Sequence, residues 1–222
     1  MNSIRCDALI FDLDGVLVDS TPCIERQMRR WAAEHGLDAT AVLSLAHGRR
    51  TAETIRQVAP HLDAEAEAAA IESAEAADTE GVLEMRGARA LLLALPPTTW
   101  AIATSNSRRM AIMRLQHTGL PIPRVLISVE AVQQGKPHPE AYLAAAEQLG
   151  VDPRHCVVVE DAPAGISAGR AAGMVVLALL STHVAHQLRQ AHALIEQLAH
   201  LHVEALPAQA EARLRVHLKA HV

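Results

Sequence analysis

The stretch Ala8-Leu-Ile-Phe-Asp-Leu-Asp-Gly-Val-Leu-Val-Asp-Ser20 decides how the rest of the chain is read. Ala8 to Phe11 form the short apolar run of a fully buried strand, and Gly15 marks where the chain must turn. Asp12 and Asp14 therefore stand at a strand's carboxyl end, where open α/β sheets place their ligands. Two like charges that close repel, so one carboxyl is expected to have a raised pKa, pairing a nucleophile with a general acid. A calcium loop does not fit, because Gly15 follows Asp14 directly and Leu17 sits where an acid is needed. A helix cap would account for one acid, not both.

Outward from this stretch, residues 21–86 carry a helical pattern rich in Ala, Glu and Arg, interrupted at His35-Gly36, His47-Gly48 and Pro60-His61, with no convincing strand. From Gly87 onward β-type runs (Trp100 to Ala103, Val125 to Ser128, Cys156 to Val159, Met174 to Leu179) alternate with helical ones (Ala88 to Ala94, Arg108 to Thr118, Glu140 to Leu149, Ala164 to Ala172). Alternation of this kind predicts a parallel sheet covered by helices on both faces. Ala193 to Ile195 is a candidate further strand, and residues 213–219 alternate Arg, Leu, Arg, Val, His, Leu, Lys as a half-exposed edge strand would. The predicted architecture is a Rossmann-like α/β core, residues 1–17 and 88–222, with a helical cap, residues 18–87, inserted after the first strand. The alanine- and glutamate-rich run Ala64 to Ala77 reads as a surface helix within it.

Three further segments carry chemistry. Trp100 to Asn106 closes a buried run with Thr104, Ser105 and Asn106, whose polar groups and following helix start suit an anion. Gly135-Lys136-Pro137-His138-Pro139 holds one lysine between rigid neighbours; it is not a P-loop. Val157-Val-Val-Glu160-Asp161 ends a strand on adjacent acids, hard oxygen donors of the kind Mg²⁺ takes. The parts share one economical use, phosphoryl transfer: Asp12 attacks phosphorus, Asp14 exchanges protons, Thr104, Ser105 and Lys136 hold the phosphoryl oxygens, and Asp12 with Asp161 holds the metal. Gly165, Gly169 and Gly173, spaced four apart, read as close helix-to-sheet packing rather than a nucleotide loop.

FDLDGVLVDS, ATSN, GKPHPE and VVVEDAPAGISAGRAAGM, in that order, resemble the haloacid-dehalogenase-like hydrolases over nearly the whole chain. The resemblance implies a Rossmann-like core with a helical cap, Mg²⁺ dependence and an aspartyl-phosphate intermediate. It also implies Glu160 as an additional metal ligand and a metal bond to the backbone carbonyl of Asp14. His47-Gly-Arg-Arg-Thr-Ala-Glu-Thr54 and Thr79 to Gly87 are similar to sugar- and polyol-phosphate phosphatases acting on 2-deoxyglucose 6-phosphate or glycerol phosphate, although Arg86 stands where proline is usual. His47, Arg49 and Arg50 are then candidate substrate contacts. The rivals are a β-phosphoglucomutase-like mutase and a non-catalytic sugar-phosphate-binding regulator.

At 222 residues, half of them hydrophobic, the chain can build one sizeable core with a small appended unit. A net charge of −5 without a basic block argues against nucleic acid or an anionic membrane as partner, and no run approaches a membrane span. A cytoplasmic monomer acting on a small phosphorylated sugar or polyol is expected. Cys6, Cys23 and Cys156 read as buried thiols. Most of the thirteen histidines, including His183, His186 and His192, are expected on solvated helix faces of a helical C-terminal third.

Overall fold

The structure, a computed structural model, describes residues 3–207, 210 and 212–218. Its elements, in chain order, are β1 (Ser3–Cys6), β2 (Ala8–Phe11), β3 (Val18–Asp19), α1 (Thr21–Glu34), α2 (Ala39–Ala46), α3 (Thr51–Val58), α4 (Ala64–Ala77), β4 (Leu83–Glu84), α5 (Ala88–Ala94), β5 (Trp100–Ala103), α6 (Arg108–Thr118), β6 (Leu126–Ile127), α7 (Glu140–Leu149), β7 (Cys156–Glu160), α8 (Pro163–Ala171), β8 (Val175–Leu179), β9 (Ala193–Ile195), β10 (Leu201–Ala205) and β11 (Leu214–Leu218).

Six strands form one parallel sheet in the order β6-β5-β2-β7-β8-β9. In chain order within the sheet this is 3-2-1-4-5-6, the doubly wound arrangement whose ligand crevice opens where the order reverses. The reversal lies between β2 and β7, whose last residues carry Asp12 and Glu160-Asp161 onward. Alternation along each strand divides the core. Leu9, Phe11, Val157 and Val159 pack with α5 and α6 on one face, and Ala8, Ile10, Cys156 and Val158 with α7 and α8 on the other. Scarce aromatics concentrate here: Phe11 meets Trp100 edge-on, 6.4 Å between ring centres.

Helices α1 to α4 have their own apolar cluster, including Met28, Trp31, Val42, Leu43, Ile55 and Ile71. The three interruptions read from the sequence fall between successive helices, and Asp38 and Asp63 cap α2 and α4 by accepting from Thr40 N–H and Ala66 N–H. The absence of strands in this region needs correcting: Leu83–Glu84 pairs antiparallel with Val18–Asp19, so a two-stranded ribbon joins the helical unit to the core. Two residues are too few to leave an alternating pattern in the sequence.

The C-terminal region also departs from expectation. After α8 it holds strands and single 3-10 turns rather than α-helices, and β11 is the middle strand of a β1-β11-β10 sheet, not an edge. Leu214 and Val216 are buried because this sheet covers the α5/α6 face of the core, and long-range pairing with β1 cannot be seen in local periodicity. Lys219 of the predicted run lies outside the described residues. His186 and His192 are exposed as expected, His186 on a single 3-10 turn and neither on an α-helix, and the His192 ring accepts from Val176 N–H. His183 is partly buried against His47, ring centres 5.7 Å apart. The three cysteines are free and buried.

Candidate active site

The register of the parallel sheet builds the site. Phe11 is level with Ile102 on one side and Val159 on the other, and Asp12 N–H donates to Val159 C=O at 3.0 Å. The residues just beyond these positions, Asp12, Thr104 and Asp161, therefore share one rim and line one cleft with Asp14, Ser105 and Asn106. Gly15, at φ +76°, carries the chain tightly past this rim; a Cβ there would lie 2.3 Å from Asp161 Oδ2.

Asp12 is buried, and Lys136 Nζ donates to its Oδ1 and to Glu160 Oε1, the latter at 2.6 Å. Burial pushes the Asp12 carboxyl up to about 7 against the pull of Lys136. Repulsion between the paired aspartates is thus not the main cause of the raised group: loss of water outweighs it, and Glu160 contributes more than Asp14. Burial would also pull Lys136 down, but Asp12 and Glu160 hold the ammonium charged well above its ordinary range.

Glu160 is placed otherwise than as an outward-facing metal ligand. Its Oε1 accepts from Lys136 and from Tyr142 OH at 2.8 Å, and its Oε2 from Asp161 N–H and Ala162 N–H. With both oxygens taken by protein donors it braces Lys136 from behind, its carboxyl held below the ordinary range because these donors outweigh burial. Gly165 makes room for it, since a Cβ there would fall 1.6 Å from Oε1; Gly169 likewise admits Val176 and Val158, whereas Gly173 has no such neighbour and serves the turn after α8.

Asp161 is where a cation fits. Its Oδ2 accepts from Thr182 Oγ1 at 2.5 Å, while its Oδ1 is buried with no hydrogen-bond partner. An orphaned carboxylate oxygen of this kind is costly unless something positive meets it. Burial, reinforced by Glu160 and Asp12, holds this carboxyl well above the ordinary aspartate range. Among the described residues no group of three or more His, Cys, Asp or Glu side chains is arranged for a metal. Asp161 and the neighbouring buried Asp12 are nonetheless hard oxygen donors of the kind Mg²⁺ takes, an ion that keeps several of its waters.

Asp14 has different partners. Its Oδ1 accepts from Ser20 Oγ at 2.5 Å and from Arg114, and its Oδ2 from Asn106 Nδ2. Thr104 is buried at the rim, and its Oγ1 accepts from Asn106 N–H at 3.2 Å.

The helical unit closes the cleft, leaving a volume of only about 60 Å³. Ser105 Oγ donates to Gly48 C=O at 3.1 Å, and a Cβ on Gly48 would lie 2.6 Å from Ala162 Cβ. His47 and Arg49 line the cleft, with burial lowering the His47 pKa. Arg50 does not line this cleft: its guanidinium donates to Val132 C=O at 2.8 Å and Gln133 C=O at 3.0 Å, joining the helical unit to the loop before Lys136.

Arg114, Glu75, Tyr142 and Thr182 also belong to the site, although no motif of the sequence marks them. Two of them leave a sequence signal. Arg114 continues the buried stripe Met110, Ala111, Leu115 of α6, and Glu75 the stripe Ala64, Ile71 of α4. A charge on an apolar stripe asks for a buried partner.

Residues 6–173 match the family model for haloacid dehalogenase-like hydrolase. The chain is 41% identical to hexitol phosphatase A of Escherichia coli over 209 residues, covering 92% of this chain and 97% of that protein. It is 38% identical to glycerol-1-phosphate phosphohydrolase 2 of Saccharomyces cerevisiae over 195 residues, covering 81% and 77%. A crystal structure of a hydrolase from Pseudomonas syringae shares the fold with a TM-score of 0.79 at 24% identity, over 87% of this chain and 94% of that one. With motif order, sheet topology and relatives in agreement, the chain belongs to the haloacid dehalogenase-like hydrolase family and is a phosphatase.

Proposed function

We propose that this phosphatase hydrolyses monoesters of small polyols and sugars through a phosphoryl group carried on Asp12, with residues 18–87 acting as a cap. The observation that carries the reading is the rim itself. A buried carboxylate bonded to a buried lysine lines one cleft with Thr104 and with Asp161, one of whose oxygens lacks a partner.

Asp12 attacks phosphorus, the bond from phosphorus to the ester oxygen breaks, and a proton from Asp14 goes to that oxygen as the alcohol leaves. Asp14 then takes a proton from the water that attacks phosphorus, freeing phosphate and restoring Asp12. Lys136 cancels charge on Asp12 and on the incoming phosphoryl oxygens, while Thr104, Ser105 and Asn106 supply donors at the same rim. Asp12, Asp161 and the backbone carbonyl of Asp14 would hold Mg²⁺; when bound, the ion offsets the charge of the phosphate as the two anions approach.

Substrate class is supported from two directions. The relatives named above act, by their names, on hexitol and glycerol phosphates. Beside the cleft lies a second cavity of about 380 Å³ that shares Thr51, Glu75, Ser105 and Asn106 with it and is lined by polar residues such as Arg56 and Glu72 together with apolar ones such as Met110 and Val129. A mixed polar and apolar lining has room for the carbon chain and the hydroxyls of a small polyol or sugar.

Phosphate release from hexitol, hexose and glycerol phosphates with Mg²⁺, beside conversion of glucose 1-phosphate to glucose 6-phosphate, tests the reading. Hydrolysis of at least one polyol or sugar phosphate with no isomerisation is expected. Isomerisation without phosphate release would make the protein a mutase.

A further inference from the structure

Asp14 is tied to the helical unit through Ser20, at the start of α1, and through Arg114, which reaches α4. Arg114, 1% exposed, reaches from α6 so that Nη1 donates to Asp14 Oδ1 and Nη2 donates to Glu75 Oε2 at 2.6 Å. Glu75 belongs to α4, on the other side of the cleft. The guanidinium is a rigid planar fork, so engaging both tips sets the Asp14 carboxylate relative to α4 rather than to the core alone. Asn106 bonds the same carboxylate from the core, and Ser20 from the start of α1.

Buried ionic triads are seldom more stabilising than apolar side chains of equal volume, so stability alone gives little reason for three charges at this seam. The geometry points to Arg114 as a positioning residue for Asp14, and to Glu75 as the contact that completes this positioning only when the helical unit is seated on the core. With the unit lifted, the fork loses Glu75 and holds Asp14 less rigidly, beside Asn106; with it seated, both tips are engaged and the carboxylate is fixed at the rim of the cleft. Proton exchange is thereby confined to the closed, water-poor cleft. The inference rests on the proposed role of Asp14 in proton exchange.

The test compares an alkyl ester, glycerol phosphate, with p-nitrophenyl phosphate, whose leaving group departs with little need of a proton. Glu75→Gln, Glu75→Ala and Arg114→Lys are measured beside Asp14→Asn, with circular dichroism and Tm to show folding. For Arg114→Lys, kcat on glycerol phosphate is expected to fall about 30-fold, within the range general acid catalysis contributes, with KM little changed. A burst of nitrophenolate should persist at a rate within about threefold of wild type, because phosphorylation of Asp12 then proceeds without the acid. Glu75→Ala is expected to show the same pattern at about tenfold, and Glu75→Gln, which keeps an acceptor for Nη2, to recover most of it. An equal loss in the nitrophenolate burst rate and in kcat on glycerol phosphate in folded variants, or no loss in either, would overturn the inference. Should Arg114→Lys not fold, the Glu75 pair decides by the same criterion. If Asp14→Asn itself shows no dependence on the leaving group, the assigned role of Asp14 is what has failed, not its link to Arg114.

Discussion

At the rim of the sheet Asp12, Thr104, Glu160 and Asp161 sit on or just after strand ends, and the parallel ladder aligns them. Across the seam with the helical unit the contacts are of another kind. Arg50 bonds to carbonyls about eighty positions away, Ser105 to Gly48, and Arg114 to Glu75. Rim geometry is therefore set once the sheet pairs, whereas seam geometry exists only while two packed units are docked. Charges at the rim are buried and mutually dependent; those at the seam that reach backbone carbonyls are partly wet. The two regions should fail differently when altered.

The largest effect is expected at the rim. Asp12→Asn should lower kcat at least about a thousandfold while leaving Tm close to wild type, because the nucleophile goes but a similar shape and an acceptor for Lys136 remain. Retention of activity in that variant would remove the covalent route. Lys136→Met should cost both function and fold. It leaves Asp12 and Glu160 buried without their shared cation, a loss of about 3 to 5 kcal/mol by urea denaturation. A change below about 1 kcal/mol would show that the rim charges are not coupled.

Titration distinguishes the regions next. Asp12 and Glu75 both have carboxyls raised to about 7 by burial, so the native state holds protons there that the unfolded chain has released. For a raised acid the stabilising contribution is complete below the unfolded value and is lost as pH rises through the folded one. Metal-free protein should therefore lose stability between about pH 5 and 7. Glu75→Gln should flatten that slope by up to about 3 kcal/mol, and Mg²⁺, competing with protons at Asp12 and Asp161, should raise Tm more at pH 8 than at pH 6. Parallel stability curves for wild type and Glu75→Gln would contradict the burial argument. The smallest effect belongs to Arg50→Ala, which removes hydrogen bonds from the seam without exposing a buried charge. KM is expected to rise roughly three- to tenfold with stability changed by under about 1 kcal/mol. A fall in kcat with unchanged KM would place Arg50 in the chemistry instead.

What local pattern could reveal follows from the range of the interactions. A fully apolar run such as Ala8 to Phe11 ending on Asp12 carries strand, rim and acid in consecutive residues, and the same holds for Trp100 to Thr104 and Cys156 to Asp161. Burial demands the apolar run and the parallel sheet then aligns the ends, so these residues were legible before any coordinates. Glu160 shows where this stops. Its position on the strand was plain, but its partner was not, because whether a carboxylate faces a cation outside or a lysine behind depends on Tyr142 and on the space left by Gly165.

The chain alone thus determined a doubly wound α/β sheet, an inserted helical segment and the acids and lysine at the sheet's end, because each is written in short apolar runs and the residues that close them. Only the tertiary structure decided that β11 is central, that Arg50 faces a loop of the core and that Arg114 joins Asp14 to Glu75. Those outcomes depend on pairing between residues roughly 40 to 210 positions apart, and no local pattern encodes which distant partner a buried charge or an unpaired strand will find.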